Sequence, residues 1–430
     1  MKRTLFTIII ILAAVQAVFA QSETKSFDVD GIKVIFKPSV KNILNVRIYY
    51  RGGNSNFEAR NAGIEDLALD AATKCGTKKY SADAIQDSLD KYDILLSGSS
   101  TYDYGYVQVN CIPKYFNQAW DLFAESVNSP AFAANEVELL KNKKIAIIKR
   151  DLSNPDNSLE AFQLANAFAS TPYAFSPLGS EETLSHFTAD DLKKYYPKLL
   201  NKNRIFIVVV GKTTKEELTD KIIASFGNLP TQPYTRPDNT PPVWNDSKMM
   251  TEQHDLSTNY VSAIMNSPGM TNIQYVPFQL GVSGLSGNIG ATLRNDLRLS
   301  YSQGARSVKL LMPYAEMYVS TTRPLQAMQV MINKLKELQN GEMNDEWLNR
   351  IKSGYIISSY IDGQSSADLT NALGEAEVLG DWQYAEHLPQ LVMMTTPQQV
   401  NQAMQFYIVG LRWYYEGNTE AIQADKVPKY

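Results

Sequence analysis

The chain has 430 residues, 44% of them hydrophobic and 20% charged, an ordinary globular balance with length enough for more than one core. That composition excludes disordered and fibrous classes. The formal charge of −4 argues against nucleic acid, which would favour a basic face, and no helix-turn-helix, zinc-finger or phosphate-loop spacing offsets it.

The first twenty residues read as a signal peptide. Lys2 and Arg3 precede an apolar run from Leu5 to about Val15, and Val18-Phe19-Ala20 places small residues ahead of a cut near Ala20-Gln21. The expectation is a secreted or periplasmic protein, soluble after cleavage. No cysteine follows the cut to carry a lipid anchor, and no later stretch reaches the roughly 18 apolar residues of a membrane span.

Residues 26–53 read as a hairpin and a third strand, with an Asp30-Gly31 turn and alternating Ile32, Val34 and Phe36. The stretch from Gly63 to Thr77, GIEDLALDAATKCGT, is then helical: Ile64, Leu67, Ala68, Ala71 and Ala72 form an apolar stripe. Asp66 and Asp70 stand four apart on a neighbouring face and read as a solvated acidic pair. An oxygen site for a hard cation at these two would need several more oxygens than the neighbourhood offers. Next come a helix over 81–92 capped by Ser81, a hairpin over 94–112, helices over 116–128 and 134–150, and another through Ala169. Helix 188–196, the apolar strand 204–211 and helix 213–226 close the first half. This order of strands and helices points to α+β rather than a doubly wound sheet. Cys75 and Cys111 are the only cysteines; an exported chain permits a bridge between them, although buried unpaired cysteine is also common.

Residues 228–243, NLPTQPYTRPDNTPPV, read as a proline-rich linker between residues 21–227 and 244–430. The second half repeats the first at an offset of about 207–210: Asn135-Glu136 answers to Asp345-Glu346, and Arg204-Ile205-Phe206 to Leu411-Arg412-Trp413. The expected architecture is two homologous modules, each a mainly antiparallel sheet packed with helices. In the second, GLSGNIGATLRNDLRLSYS from Gly284 to Ser302 lacks the glycine order of a phosphate cradle, but places Arg294 seven residues before Tyr301. A guanidinium and a phenol are fixed donors suited to a developing oxyanion; the plain alternative is a helix-surface arginine and a packed aromatic. His186, His254 and His387 are isolated and read as surface or packing histidines. No G-x-S-x-G elbow is present.

The 63–77 segment resembles the helix on which the pitrilysin and insulinase family of zinc peptidases (inverzincins, including mitochondrial-processing-peptidase-like proteins) carries H-x-x-E-H. The resemblance spans about residues 26–425. It implies that Asp66 and Asp70 stand where the ligand histidines would be, Leu69 where the general-base glutamate would be, and Ala146 or Ile147 near the third ligand. None of these is a catalytic zinc set. It further implies that Arg294 and Tyr301 are the family's substrate-binding, oxyanion-stabilising pair, with Asn295 replacing the usual acid and Arg298 as the alternative arginine. The expectation is therefore a pseudoenzyme: a chain with no complete active site alone and no cofactor of its own, serving as the non-catalytic subunit of a heterodimeric metalloendopeptidase. Zinc would sit in a homologous zinc-bearing partner, a peptide would be the substrate, and self-association stays open. The alternative is an inactive structural or peptide-binding scaffold of the same fold. A metal enzyme using Asp66 and Asp70 ranks last.

Overall fold

The computed structural model describes residues 23–237, 240–422 and 427–430; the signal segment and its cut at Ala20-Gln21 lie outside them. Asp30 and Gly31, both with positive φ, turn β1 (Lys25–Val29) back onto β2 (Ile32–Pro38), as the Asp-Gly pair predicts. With β3 (Leu44–Arg51), β4 (Leu95–Ser100), β5 (Tyr104–Cys111) and β6 (Ile205–Gly211) they form a sheet of order β1-β2-β6-β3-β5-β4. Only β2 and β6 run parallel. The second sheet contains β7 (Lys248–Gln253), β8 (Asn259–Asn266), β9 (Gln303–Val308), β10 (Tyr314–Thr321) and β11 (Arg412–Gly417) in the order β7-β11-β8-β10-β9. Again one pair is parallel, β7 with β11, and it occupies the same place. Strand for strand, β7-β11-β8-β10-β9 repeats β2-β6-β3-β5-β4, and the first sheet adds β1.

The first sheet carries α1 (Ile64–Lys74), α2 (Ala82–Tyr92), α3 (Phe116–Asn128), α4 (Ala134–Leu152), α5 (Pro155–Ala167), α6 (Glu181–His186), α7 (Ala189–Tyr195) and α8 (Lys215–Phe226). The second carries α9 (Tyr275–Gly290), α10 (Pro324–Gln339), α11 (Asp345–Asp362), α12 (Ser366–Leu379), α13 (Gln383–Met394) and α14 (Pro397–Tyr407). Ser81 caps α2 by accepting from Ala84 N–H, as its place in the sequence predicts. The repeat reaches the caps: Thr188 with Asp191 opens α7, and Thr396 with Gln399 opens α14, each as a reciprocal capping box.

The central strands of each sheet are buried on both faces, which is why β6 reads Ile-Phe-Ile-Val-Val-Val without polar alternation. On one face of the first sheet Val34, Val46, Ile48, Ile207 and Val209 pack with the module's own helices. On the other, Ile35, Tyr49, Phe206 and Val208 meet Leu373 and Val378 of α12, which belongs to the second half. The converse holds for the second sheet, where Ile264, Tyr314 and Tyr414 are covered by Leu159 and Leu164 of α5. Gly374 makes the first contact feasible, because a Cβ there would lie 2.0 Å from the Tyr49 ring. Polar bonds fix the register of the clasp: Tyr49 Oη donates to Thr370 O (3.0 Å), Arg47 Nη1 to Asn371 Oδ1 (2.7 Å), and Glu377 takes both Lys33 and Arg51 at 2.7 Å. The described part of the proline-rich stretch holds no helix or strand, and it is tied to both halves: Tyr234 Oη donates to Arg51 O (2.8 Å) and Arg236 Nη1 to Val378 O (3.1 Å).

Asp103 sits in this clasp, 2% exposed, accepting from Tyr173 Oη and from Leu311 N–H (2.9 Å). Burial pushes its carboxyl up to about 6, against the opposing hydrogen bonds. Its folded value lies above the unfolded one of about 4, so its contribution to stability is full below that value and is lost as pH rises through about 6. Asp103→Asn removes the titration. The variant's stability relative to wild type is expected to improve by about 1 kcal/mol between about pH 5 and pH 7.5. Urea unfolding at the two pH values checks this; a pH-independent difference would assign the carboxyl no such role.

Candidate functional site

Every residue of α1 from Ile64 to Thr73 is buried. The helix lies against β4 so closely that a Cβ on Gly98 would stand 2.2 Å from the Leu69 carbonyl oxygen. The solvated acidic face expected at Asp66 and Asp70 is therefore not there: the two are 0% and 6% exposed. Amphipathic logic assigns one face to the core and one to water, but here α4 covers the second face and brings a cation. Lys144 Nζ lies 2.6 Å from Asp66 Oδ2 and 2.9 Å from Asp70 Oδ2. Asp66 Oδ1 also accepts from Ser99 Oγ (2.6 Å) and Ser100 N–H (3.1 Å), and Asp70 Oδ1 pairs with Lys74 at 2.7 Å. Burial works against the Lys144 ammonium, yet the charges and hydrogen bonds of the two aspartates outweigh it and hold its pKa above the ordinary value.

A second ion cluster flanks the first. Glu65, fully buried, accepts from Tyr195 Oη (2.6 Å), Arg204 Nη2 (3.0 Å) and Ser100 Oγ (3.1 Å). Burial pushes its carboxyl up, with Arg204 opposing. Sequence reasoning missed Lys144, Glu65 and Arg204. Lys144 was the one within reach, since it precedes Ile147 by one turn of α4 and so shares its face.

These residues do not fit a catalytic zinc. No imidazole is present, both aspartates are already engaged by an ammonium, Leu69 is fully buried and can move no proton, and Ala146 is exposed without any donor atom in its side chain. Chemically the cluster is a closed ion triad with no water-activating group. Cys75 and Cys111 are unbridged; burial pushes both thiols up to about 12, so they pack as small hydrophobes.

In the second half α9 is the counterpart of α1. Ser286 on α9 accepts the N–H of Ala305 on β9 (3.0 Å), just as Asp66 on α1 accepts the N–H of Ser100 on β4. Past Gly290 the helix widens into a π-helical segment, Ala291–Asp296, which carries Arg294. Arg294 lines a cavity of about 1380 Å³ walled by α9, β9, α11 and α12, together with Asn295, Arg306, Tyr355 and Glu375. Tyr301 does not line it: the residue is 89% exposed and makes no hydrogen bond among the described residues. Arg298 is exposed, with φ of 52°. So the structure sets Arg294 at the cavity wall and Tyr301 in solvent. No helix among the described residues is long and apolar enough to cross a membrane.

Two family profiles match in tandem: Insulinase (Peptidase family M16) over residues 38–180, and Peptidase M16 inactive domain over residues 186–355. Among curated relatives, the chain is 23% identical over 185 residues to the "Non-peptidase homolog YmxG" of Helicobacter pylori, covering 43% of each chain. It is 20% identical over 372 residues to the "Zinc protease PqqE" of the same organism, covering 82% of this chain and 83% of that one. The alignment to the first thus spans less than half of that relative. The solved peptidase M16 inactive domain of Pseudomonas fluorescens superposes with a TM-score of 0.82 at 18% identity, covering 92% of this chain and 98% of that one. With the two profiles matched over residues 38–180 and 186–355 and the paired-sheet fold shared over 92% of its length, the chain belongs to the insulinase family of peptidases, family M16.

Proposed function

We propose that this chain is the zinc-free subunit of an exported two-chain peptidase, paired with a zinc-bearing homologue and lending it Arg294 and Tyr301. One observation carries the reading. The aspartates at the two zinc-ligand positions of α1 are neutralised by Lys144, whereas Arg294 and Tyr301 are exposed in the other half, with no ion pair or hydrogen bond among the described residues. A phenol on a residue 89% exposed, with no hydrogen bond among the described residues, is free to donate to something outside the chain. Beside the cavity, Ile357, Tyr360 and Ile361 of α11 are 57–73% exposed at helical spacing, an apolar stripe of the kind that marks a contact surface. The cavity is large enough for an extended peptide segment, and the edge strand β9 runs along it.

The second reading is a peptide-binding or structural scaffold, favoured by one feature: Arg294 and Tyr301 do not share the cavity. Mixing separates the two. Alone, the purified chain is expected to cleave no peptide; mixed with a zinc-bearing homologue, cleavage is expected to appear and to be abolished by chelator. Chelator-resistant activity of the isolated chain would overturn the proposal, and a stable but inactive complex would establish the scaffold.

A further inference from the structure

Away from α1, a second set of ligand-type side chains converges at the parallel edge of the second sheet. Glu252 lies near the end of β7 and His254 just beyond it; β7 pairs Glu252 with Glu416 of β11, and His254 N–H extends the ladder to Gly417 O at 3.0 Å. Residues two apart on a strand share a face, and so do directly paired ones, so Glu252, His254 and Glu416 project together. One ring nitrogen and one oxygen from each carboxylate lie within 4.8 Å of one another. His254, isolated in the sequence, is not isolated in the fold.

Two of these atoms are buried and unsatisfied. Glu416 is 0% exposed; its Oε1 accepts from Ser158 Oγ of α5 (3.1 Å), while Oε2 has no hydrogen-bond partner. His254 Nε2 is likewise buried without one, 3.5 Å from Glu252 Oε1 and outside hydrogen-bond geometry. Among the described residues no lysine or arginine pairs with Glu252 or Glu416, in contrast to the aspartates of α1. A buried carboxylate oxygen close to a second carboxylate is costly unless a cation lies between them or one of the two takes up a proton.

We propose that Glu252, His254 and Glu416 form a site for a divalent transition-metal ion of the zinc type, which ties β7 to β11. One imidazole and two carboxylates suit zinc and its first-row neighbours, whereas calcium would want about six to eight oxygens. Bonds of about 2.0–2.2 Å would draw the three atoms closer together, a movement open to the exposed Glu252. Ser158 orients Glu416 as an outer-shell donor, and because it sits on α5 the ion also braces the clasp between the halves. The site is separate from α1, so the inference stands whether or not the chain has a peptidase partner.

The test is calorimetric titration of the full chain, freed of metal, with Zn²⁺, and with Co²⁺ read by visible absorption. The expected result is one saturable ion per chain and a Co²⁺ spectrum showing nitrogen in a low-coordinate site. His254→Ala, at a half-exposed position, and the isosteric Glu416→Gln should each weaken binding by about 100-fold, and Ser158→Ala by about tenfold. Asp70→Asn should bind as wild type. Zn²⁺ should raise Tm in wild type and in Asp70→Asn but not in His254→Ala. Failure to saturate, a solvated-ion Co²⁺ spectrum, or binding that survives both His254→Ala and Glu416→Gln would overturn the proposal; binding lost only with Asp70→Asn would move the ion to α1.

Discussion

Lys144→Met is expected to destabilise the protein by about 3–5 kcal/mol, the scale on which removing one partner strands a buried charge. Asp66 and Asp70 would keep their places, at 0% and 6% exposure, with only Ser99, Ser100 and Lys74 left to them. The penalty comes from desolvated carboxylates losing their shared counter-ion, not from lost volume, since methionine fills much the same space. Adding Asp66→Asn and Asp70→Asn to Lys144→Met should therefore recover most of the loss. Urea unfolding of the single and triple variants decides it. A single-variant loss below about 1 kcal/mol, the scale of an exposed ion pair, would mean that water already screens the triad.

In the proposed complex with a zinc-bearing partner, Tyr301→Phe is expected to lower kcat by about 10²-fold to 10³-fold, as when a preorganised oxyanion donor is removed. The substitution deletes one hydroxyl at a position 89% exposed, so the fold of the isolated chain should be unaffected. Arg294→Lys keeps the charge but loses the forked donor geometry, and should move kcat in the same direction. Assembly should be unchanged for both. A fall in kcat at constant KM reports a transition-state contact; a rise in KM alone reports uniform binding. If both variants stay within about twofold, far short of the oxyanion scale, the scaffold reading replaces the peptidase one.

Much of the framework was legible because it rests on local chemistry. The Asp30-Gly31 turn, the Ser81 cap, the span of α3 from Phe116 to Asn128 and the apolar run of β6 follow from turn residues, caps and periodicity. The repeat was legible too, and the two sheet orders match it. What escaped was everything set by a partner distant in sequence. Asp66 and Lys144 are 78 residues apart, and nothing local marks a helix face as covered rather than wet. The same blindness made His254 look solitary, since Glu416 reaches it only through the β7–β11 ladder. Arg294 and Tyr301 could be picked out by spacing, but their separation between cavity wall and solvent is a property of the π-helical turn and of the irregular segment after it, where Arg298 takes a positive φ.

The reciprocal clasp bears on descent. Each half leaves one sheet face that its own helices do not cover, and in each case the cover is a helix at the equivalent place in the other half, α5 for one and α12 for the other. Two separate copies of a single half could bury those faces in the same manner only by exchanging that helix across a two-fold axis, an isologous arrangement. Duplication and fusion of such a gene would produce the present chain with its interface already made. Once the halves were covalently joined, each was free to diverge, and the triad of Asp66, Asp70 and Lys144 on one side and the exposed Arg294 and Tyr301 on the other mark how far they have gone.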